Sequence, residues 1–177
     1  VRFLREIVLV VICALSWLTT AKRIRKDNKF SWEPILEVAY VFIGIFATMT
    51  PALIYLNAHA AELGLTKPWQ FFYSSGILSA FLDNSPTAVA FHTVAQGLPV
   101  AAGATLEAGI DVMLLRAIAL GSVFFGAMTY IGNGPNFMVK AIAEQAGVNM
   151  PSFFGYMAKF SIVILLPIYI VTQLIFL

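Results

Sequence analysis

Two short polar sequences, Asp83-Asn84-Ser85-Pro86-Thr87 and Gly132-Asn133-Gly134-Pro135-Asn136, interrupt stretches that are otherwise apolar. Backbone that leaves the helix exposes N–H and C=O groups, and in hydrocarbon these find no water. Such a segment is stable at membrane depth only where protein buries it or where it lines a watery cavity. The restriction applies because the chain is built for a bilayer: it is 60% hydrophobic, 14% aromatic and only 11% charged, with a mean hydropathy of +0.86 over 177 residues. Soluble domains average about 45–50% apolar and about 25% charged residues. This balance excludes a disordered tail, a disulfide scaffold and a basic nucleic-acid module. The expected environment is the lipid bilayer, with no nucleic-acid partner.

A helix crosses the hydrocarbon core in about 20 residues. Residues 1–34 hold a first transmembrane helix, centred on Ile7 to Thr20, followed by a basic loop. No small-x-small cleavage site follows the apolar run, so a secretory signal peptide is not expected. Of the 11 cations, five cluster in that loop as Lys22, Arg23, Arg25, Lys26 and Lys29. The positive-inside rule places loop 21–34 in the cytoplasm, in a bacterial-type inner (plasma) membrane, so the first helix runs inward. Residues 35–67 give a second transmembrane helix over Ile35 to Asn57, interrupted at Pro51, and an external segment; together these read as scaffold. Trp17, Trp32 and Trp69 fall at span ends, where indole rings favour the headgroup level.

The pattern changes in residues 68–177, which read as a transport-type region. Trp69 to Leu82 and Ala88 to Val94 are short apolar pieces around a polar turn, which predicts a re-entrant hairpin over 68–97. Leu98 to Gly109 resembles a surface loop. Residues 111–147 read as a broken helix, unwound at Gly132 to Asn136. Residues 153–177 form a last transmembrane helix with Pro167 inside it. The expected fold class is therefore all-α integral membrane: transmembrane helices plus a re-entrant helical hairpin and a broken helix, one repeat of an inverted-repeat transporter. Many such transporters bind substrate where two inverted repeats meet, and this chain holds one hairpin and one broken helix. It begins at Val1 and reads as a piece of a longer chain whose N-terminal half is missing.

Asp83 is an acid within an apolar stretch, a type of residue that usually faces a pathway or a partner. Low-dielectric surroundings favour a neutral acid and a bound Na⁺ favours the carboxylate, so an acid there can exchange the two ions. It also suits the role of N-cap for the helix that follows Pro86. Asn84, Ser85 and Thr87 add neutral oxygens beside it. Gly132, Asn133, Gly134, Pro135 and Asn136 form the second loop, whose glycines allow a ligand to approach the backbone. Free carbonyls suit Na⁺, while half-helix N-termini starting near Thr87 and Phe137 suit an anion. Asp83, Asn84 and Asn133 are the candidate Na⁺ ligands, with Na⁺ and H⁺ as coupling ions and no other cofactor.

Other residues carry less. Cys13 lies in an apolar run and reads as a small buried side chain. His59 and His92 have no metal-ligand spacing around them and read as interfacial and packing residues. Lys140 either contacts an anionic substrate or pairs with Glu144 at i, i+4. No catalytic triad, metalloprotease helix or phosphate loop occurs, so an enzyme is not expected.

Taken together, Leu82-Asp83-Asn84-Ser85-Pro86-Thr87-Ala88 resembles the D-N-x-P hairpin tip of sodium/proton antiporters in the ion transporter superfamily, and more loosely the Ser-Asn-Thr tip of its dicarboxylate carriers. Tyr130-Ile131-Gly132-Asn133-Gly134-Pro135-Asn136 resembles the unwound segment of the last broken helix in that superfamily, which also includes arsenite exporters and citrate carriers. The resemblance covers residues 35 to 177 and implies the C-terminal half of a transporter, dimerisation through a scaffold, and motion of the hairpin and broken helix together. The first functional expectation is a sodium/proton antiporter with its cation site at the two loops, because Asp83 has no Arg or Lys near the tip. The alternatives are a cation-coupled citrate or dicarboxylate transporter of the same architecture, and a non-transporting membrane assembly subunit.

Overall fold

The computed structural model describes residues 3–28, 30, 32–100 and 103–177. Lys29, which belongs to the basic cluster, and Ala101 and Ala102, which belong to the small-residue loop, lie outside the described residues. The chain divides into two compact units, residues 1–44 and 45–177, and the boundary falls within a helix.

In the first unit, α1 runs Leu4–Thr19 and ends where Thr20 turns to extended backbone. The basic segment is not a plain loop, because Lys22–Asp27 forms a short helix, α2. Cys13 is exposed rather than buried. The reason is that α1 buries none of its residues, so its apolar side chains remain available to lipid.

The third helix, α3, spans Glu33–Ala58 and continues through Pro51 without the expected interruption. Within the second unit a single 3₁₀ turn, Ala60–Leu63, leads to the hairpin of α4 (Pro68–Ser79) and α5 (Asn84–Gln96). Pro68 opens α4 at a position that needs no bonded N–H. Gln70 reaches back to the amides of Thr66 and Lys67, each at 2.9 Å.

The expected surface loop contains a miniature hairpin, β1 (Leu106–Glu107) and β2 (Ile110–Asp111), paired antiparallel with Glu107 opposite Ile110. Its two central residues both have positive φ, 51° at Ala108 and 83° at Gly109. That is the requirement of the tight two-residue turn that matches strand twist, and Gly109 meets it without a Cβ penalty.

Asp111 then caps α6 (Val112–Phe124), its carboxylate accepting from the Met113 amide at 2.7 Å. A 3₁₀ turn, Phe125–Met128, tightens the helix end before extended backbone at Thr129. The chain resumes as α7 (Gly134–Gln145), with Pro135 in its first turn. Helix α7 thus begins three residues before Phe137, because the Gly-Pro pair starts the helix rather than prolonging the break.

The last helical run comprises α8 (Phe153–Tyr156), a π-helical stretch (Met157–Leu165) and α9 (Leu166–Phe176). Pro167 lies inside this continuous run and has no N–H to donate, yet the run continues through it to Phe176. Among the described residues, Phe153–Phe176 is the one helix long and apolar enough to cross a membrane. Shorter apolar stretches lie at Phe42–Ala58 and Val112–Met128.

The core of this unit is where α4 packs along α6, its most extensive helix pairing. At Gly121 a Cβ would meet the Phe72 carbonyl and the Ser75 hydroxyl, so only glycine lets the two backbones come so close. Phe71, Phe72, Ala117, Ile118 and Phe125 are buried there. Phe125 links this layer to the last run, its ring centroid 5.3 Å from Phe72 and 4.6 Å from Tyr169. The outer faces are apolar and exposed: Leu174 is 73% exposed and Ile54 68%.

Candidate functional site

The hairpin tip is built by Asp83, which has extended backbone and whose side chain accepts from the Ser85 amide at 3.2 Å. It is the N-cap of α5, so the helix begins at Asn84, three residues before the expected Thr87. The Thr87 hydroxyl is buried and donates to the Asp83 carbonyl at 3.0 Å. The tip therefore satisfies much of its own backbone, as irregular chain inside a protein must.

Asn84 is the residue that leaves the tip. Ser79 has one hydroxyl proton, and at 2.5 Å from the Ser122 carbonyl it must donate it there. Facing Asn84 at 2.8 Å, Ser79 Oγ can then only accept, which assigns the near atom of Asn84 as its amide nitrogen. In that orientation Nδ2 also lies 2.9 Å from the Ser122 carbonyl and 3.3 Å from the Gly132 carbonyl, and Oδ1 accepts from Asn133 Nδ2 at 3.2 Å. One side chain thus ties α4, the end of α6, and the second loop to the start of α5.

The second loop is folded onto the same point. A Cβ on Gly132 would sit 2.7 Å from the Gly126 carbonyl, 2.8 Å from Ala80 O and 2.9 Å from Ser79 O. Thr129 is buried and its hydroxyl donates to the Ala80 carbonyl while accepting from the amides of Ile131 (3.2 Å) and Gly132 (3.0 Å). Asn136 Nδ2 donates to Gly126 O at 2.9 Å and Thr129 O at 3.4 Å. Asn133 is the N-cap of α7 by position, but its side chain makes no cap hydrogen bond. The positive end of α7 is therefore not closed by a side chain.

Of the sequence-derived site residues, Asn84, Gly132 and Asn133 meet directly, and Asn136 secures the break that holds them. Ser85, Gly134 and Pro135 are exposed beside this junction. Asp83 belongs to the same tip, but its carboxylate accepts from the Ser85 amide rather than from Asn133. With Thr87 it lines a separate cavity of about 260 Å³ whose wall is otherwise apolar, including Met49, Leu53, Leu78 and Pro86. Among the described residues no cluster of three His, Cys, Asp or Glu side chains is placed to hold a metal ion.

Lys140 pairs with Glu144 at 2.6 Å, as its spacing implied. His92 lies 3.1 Å from the Ala108 carbonyl, and His59 stacks on Tyr55 at 4.2 Å. Both are packing partners in this structure.

Sequence reasoning missed the hydroxyls that complete the site. Ser79 and Thr129 are each about 1% exposed or less, whereas Ser122 joins the site through its carbonyl, its hydroxyl donating to Ile118 in the preceding turn. The last helical run supplies three more, all directed at carbonyls freed by the end of α6: Tyr169 to Phe124 (2.5 Å), Tyr156 to Ala127 (3.1 Å) and Ser161 to Met128 (2.6 Å). Small hydroxyl residues in apolar helices are a usable signal for such contacts. Among the described residues, no buried side-chain nitrogen or oxygen lacks a partner.

A helical chain with an apolar exterior and hydroxyl-lined breaks at its polar junction is of the class built to live in a bilayer. The chain belongs to the family described as "Putative citrate transport", which matches residues 1–177. It is thus an integral membrane protein of a transport family, on the citrate-transporter side of the superfamily resemblance. No curated protein and no solved structure matches the chain.

Proposed function

We propose that this chain forms part of a secondary-active carrier that moves a citrate-type polycarboxylate together with a coupling cation, Na⁺ or H⁺. The observation that carries the reading is the Asn84–Asn133 contact, which joins the hairpin tip to the helix break at 3.2 Å. It gathers neutral amides and the uncapped start of α7 at one point. Carboxylate oxygens accept hydrogen bonds, and donors of this kind at a helix N-terminus favour anions without a fixed cation. The family match supports the same substrate class. On this reading an inverted first half supplies the facing groups, and the assembled carrier works as a homodimer.

A second reading, sodium/proton exchange, is favoured by one observation. Asp83 is an acid at the hairpin tip and, among the described residues, forms no ion pair. Its separation from Asn133 makes it the weaker account of the junction.

The test is accumulation of labelled citrate by proteoliposomes holding the complete transporter, under an imposed Na⁺ or proton gradient. Gradient-dependent uptake that Asn133→Ala lowers tenfold or more supports the carrier. Absence of citrate uptake, with Na⁺-driven proton flux that Asp83→Asn abolishes, would overturn it in favour of exchange.

A further inference from the structure

At the end of α1 the chain makes a corner that the transport reading does not use. Three aromatic rings meet there: Trp17 and Phe30 at 5.8 Å, Trp17 and Trp32 at 5.1 Å, and Phe30 and Trp32 at 5.3 Å between centroids. All three remain nearly half exposed, at 43%, 45% and 46%. They border a cavity of about 310 Å³ whose polar lining comes from Ser16, Thr20, Arg25 and Asn28.

Arg25 is the charged residue in the lining of this cavity. Its guanidinium lies 3.8 Å above the Trp17 ring, and one Nη donates to the Trp17 carbonyl. A guanidinium has five N–H donors, so several remain for a ligand in the cavity. On α2, Lys22 stands one turn before Arg25 at i−3 and shares a face with Lys26 at i, i+4, so the two lysines flank Arg25 on the side of Lys22. Arg23 is instead engaged with Asp27 at 3.6 Å. Among the described residues neither Lys22 nor Lys26 forms an ion pair.

We infer that this corner binds the headgroup of an anionic phospholipid. The argument is one of complementarity. The donors form a cationic, hydroxyl- and amide-lined recess that suits a phosphodiester, with Arg able to bond two of its oxygens at once. The indoles beside it prefer the depth at which headgroups sit. α1, which buries none of its residues, leads from this recess along an apolar surface suited to acyl chains. A soluble phosphate would use the donors and leave the three half-exposed rings without a role.

The test places the complete transporter in nanodiscs of phosphatidylcholine containing phosphatidylglycerol, and measures by mass spectrometry which lipid stays bound after extraction into mild detergent. Phosphatidylglycerol is expected to be retained in preference to phosphatidylcholine. Each cation near a membrane surface changes anionic lipid binding by about fivefold, so Lys22→Gln with Lys26→Gln should lower retention on the order of tenfold or more. Both lysines are exposed, and this pair of changes leaves the packing of Arg25 on Trp17 in place, so loss of folding does not confound it. Arg25→Gln should abolish the preference. Equal retention of the two lipids, retention that is indifferent to the lysine changes, or full displacement by millimolar inorganic phosphate would overturn the proposal.

Discussion

Asn84 and Asn133, 49 positions apart in the chain, share a side-chain hydrogen bond of 3.2 Å in which the hairpin tip accepts and the helix break donates. Neither residue acts as a simple cap: Asp83 closes the start of α5 and frees Asn84 to reach across, while Asn133 leaves α7 open. The tip and the break are consequently one structural object.

Replacing Asn84 with Ala leaves the Asn133 amide and the Gly132 carbonyl short of a partner, while the Ser122 carbonyl keeps only the Ser79 hydroxyl. Unsatisfied buried groups cost about 1–3 kcal/mol each, so Asn84→Ala should lower both thermal stability in detergent and citrate uptake, uptake by tenfold or more. Asn84→Asp, which keeps the shape but removes the two donors, should not restore either. Full activity in Asn84→Ala would show that the junction is not part of the transport path.

Gly132→Ala should be more damaging than its size suggests. The added methyl meets three backbone carbonyls, those of Ser79, Ala80 and Gly126, none of which can rotate away. Overpacking of this kind costs about 1–3 kcal/mol. At about 2–4 °C per kcal/mol for a chain of this length, the unfolding midpoint should fall by roughly 2–12 °C. Gly134→Ala, whose Cβ meets nothing within 4 Å, is the matched control and should change it little.

Asp83→Asn separates stability from ion chemistry. Asn is as good an N-cap as Asp, so the midpoint should move by less than about 2 °C, corresponding to about 0.5 kcal/mol. If the polycarboxylate reading holds, gradient-driven citrate uptake persists in this variant. If sodium/proton exchange is the activity, proton flux is lost while the protein remains folded.

Ser161→Ala and Tyr169→Phe each remove one hydroxyl from a carbonyl at the end of α6. Hydrogen bonds between membrane helices average about 0.6 kcal/mol and reach about 1.7. Each change should therefore lower the midpoint modestly, and the two together should be close to additive, because the acceptors, Met128 and Phe124, are different carbonyls. Midpoints measured for the single and double variants in one detergent check this.

The element pattern was legible because punctuation was local. Asp-Asn-Ser-Pro and Gly-Asn-Gly-Pro mark helix starts by capping and ring chemistry, and both starts appear at those residues, each three positions earlier than the apolar spacing alone suggested. Pro51 misled, since α3 accommodates it. The tight turn at Ala108-Gly109 was hidden because only one of its two residues is a typical turn former. Within the site, Asn84, Asn133 and Asn136 could be singled out as polar residues among apolar ones. The hydroxyls of Ser79, Ser161 and Tyr169 are visible in the same way, but their acceptors are not: a hydroxyl in an apolar helix can bond its own preceding turn, as Ser122 does to Ile118, and only the packing of α4, α6 and the last run sends the others to carbonyls elsewhere in the chain.

The hydroxyls of the last run also impose an order of assembly. Ser161 follows its acceptor Met128 by 33 residues, which at about 5–20 residues per second of synthesis is roughly 2–7 s. Until the last run is made, the carbonyls of Phe124, Ala127 and Met128 exist without the groups that complete them. The break reaches its finished hydrogen bonds only with a segment made after it, so completion of this part of the chain is a coupled event rather than a succession of independent helices.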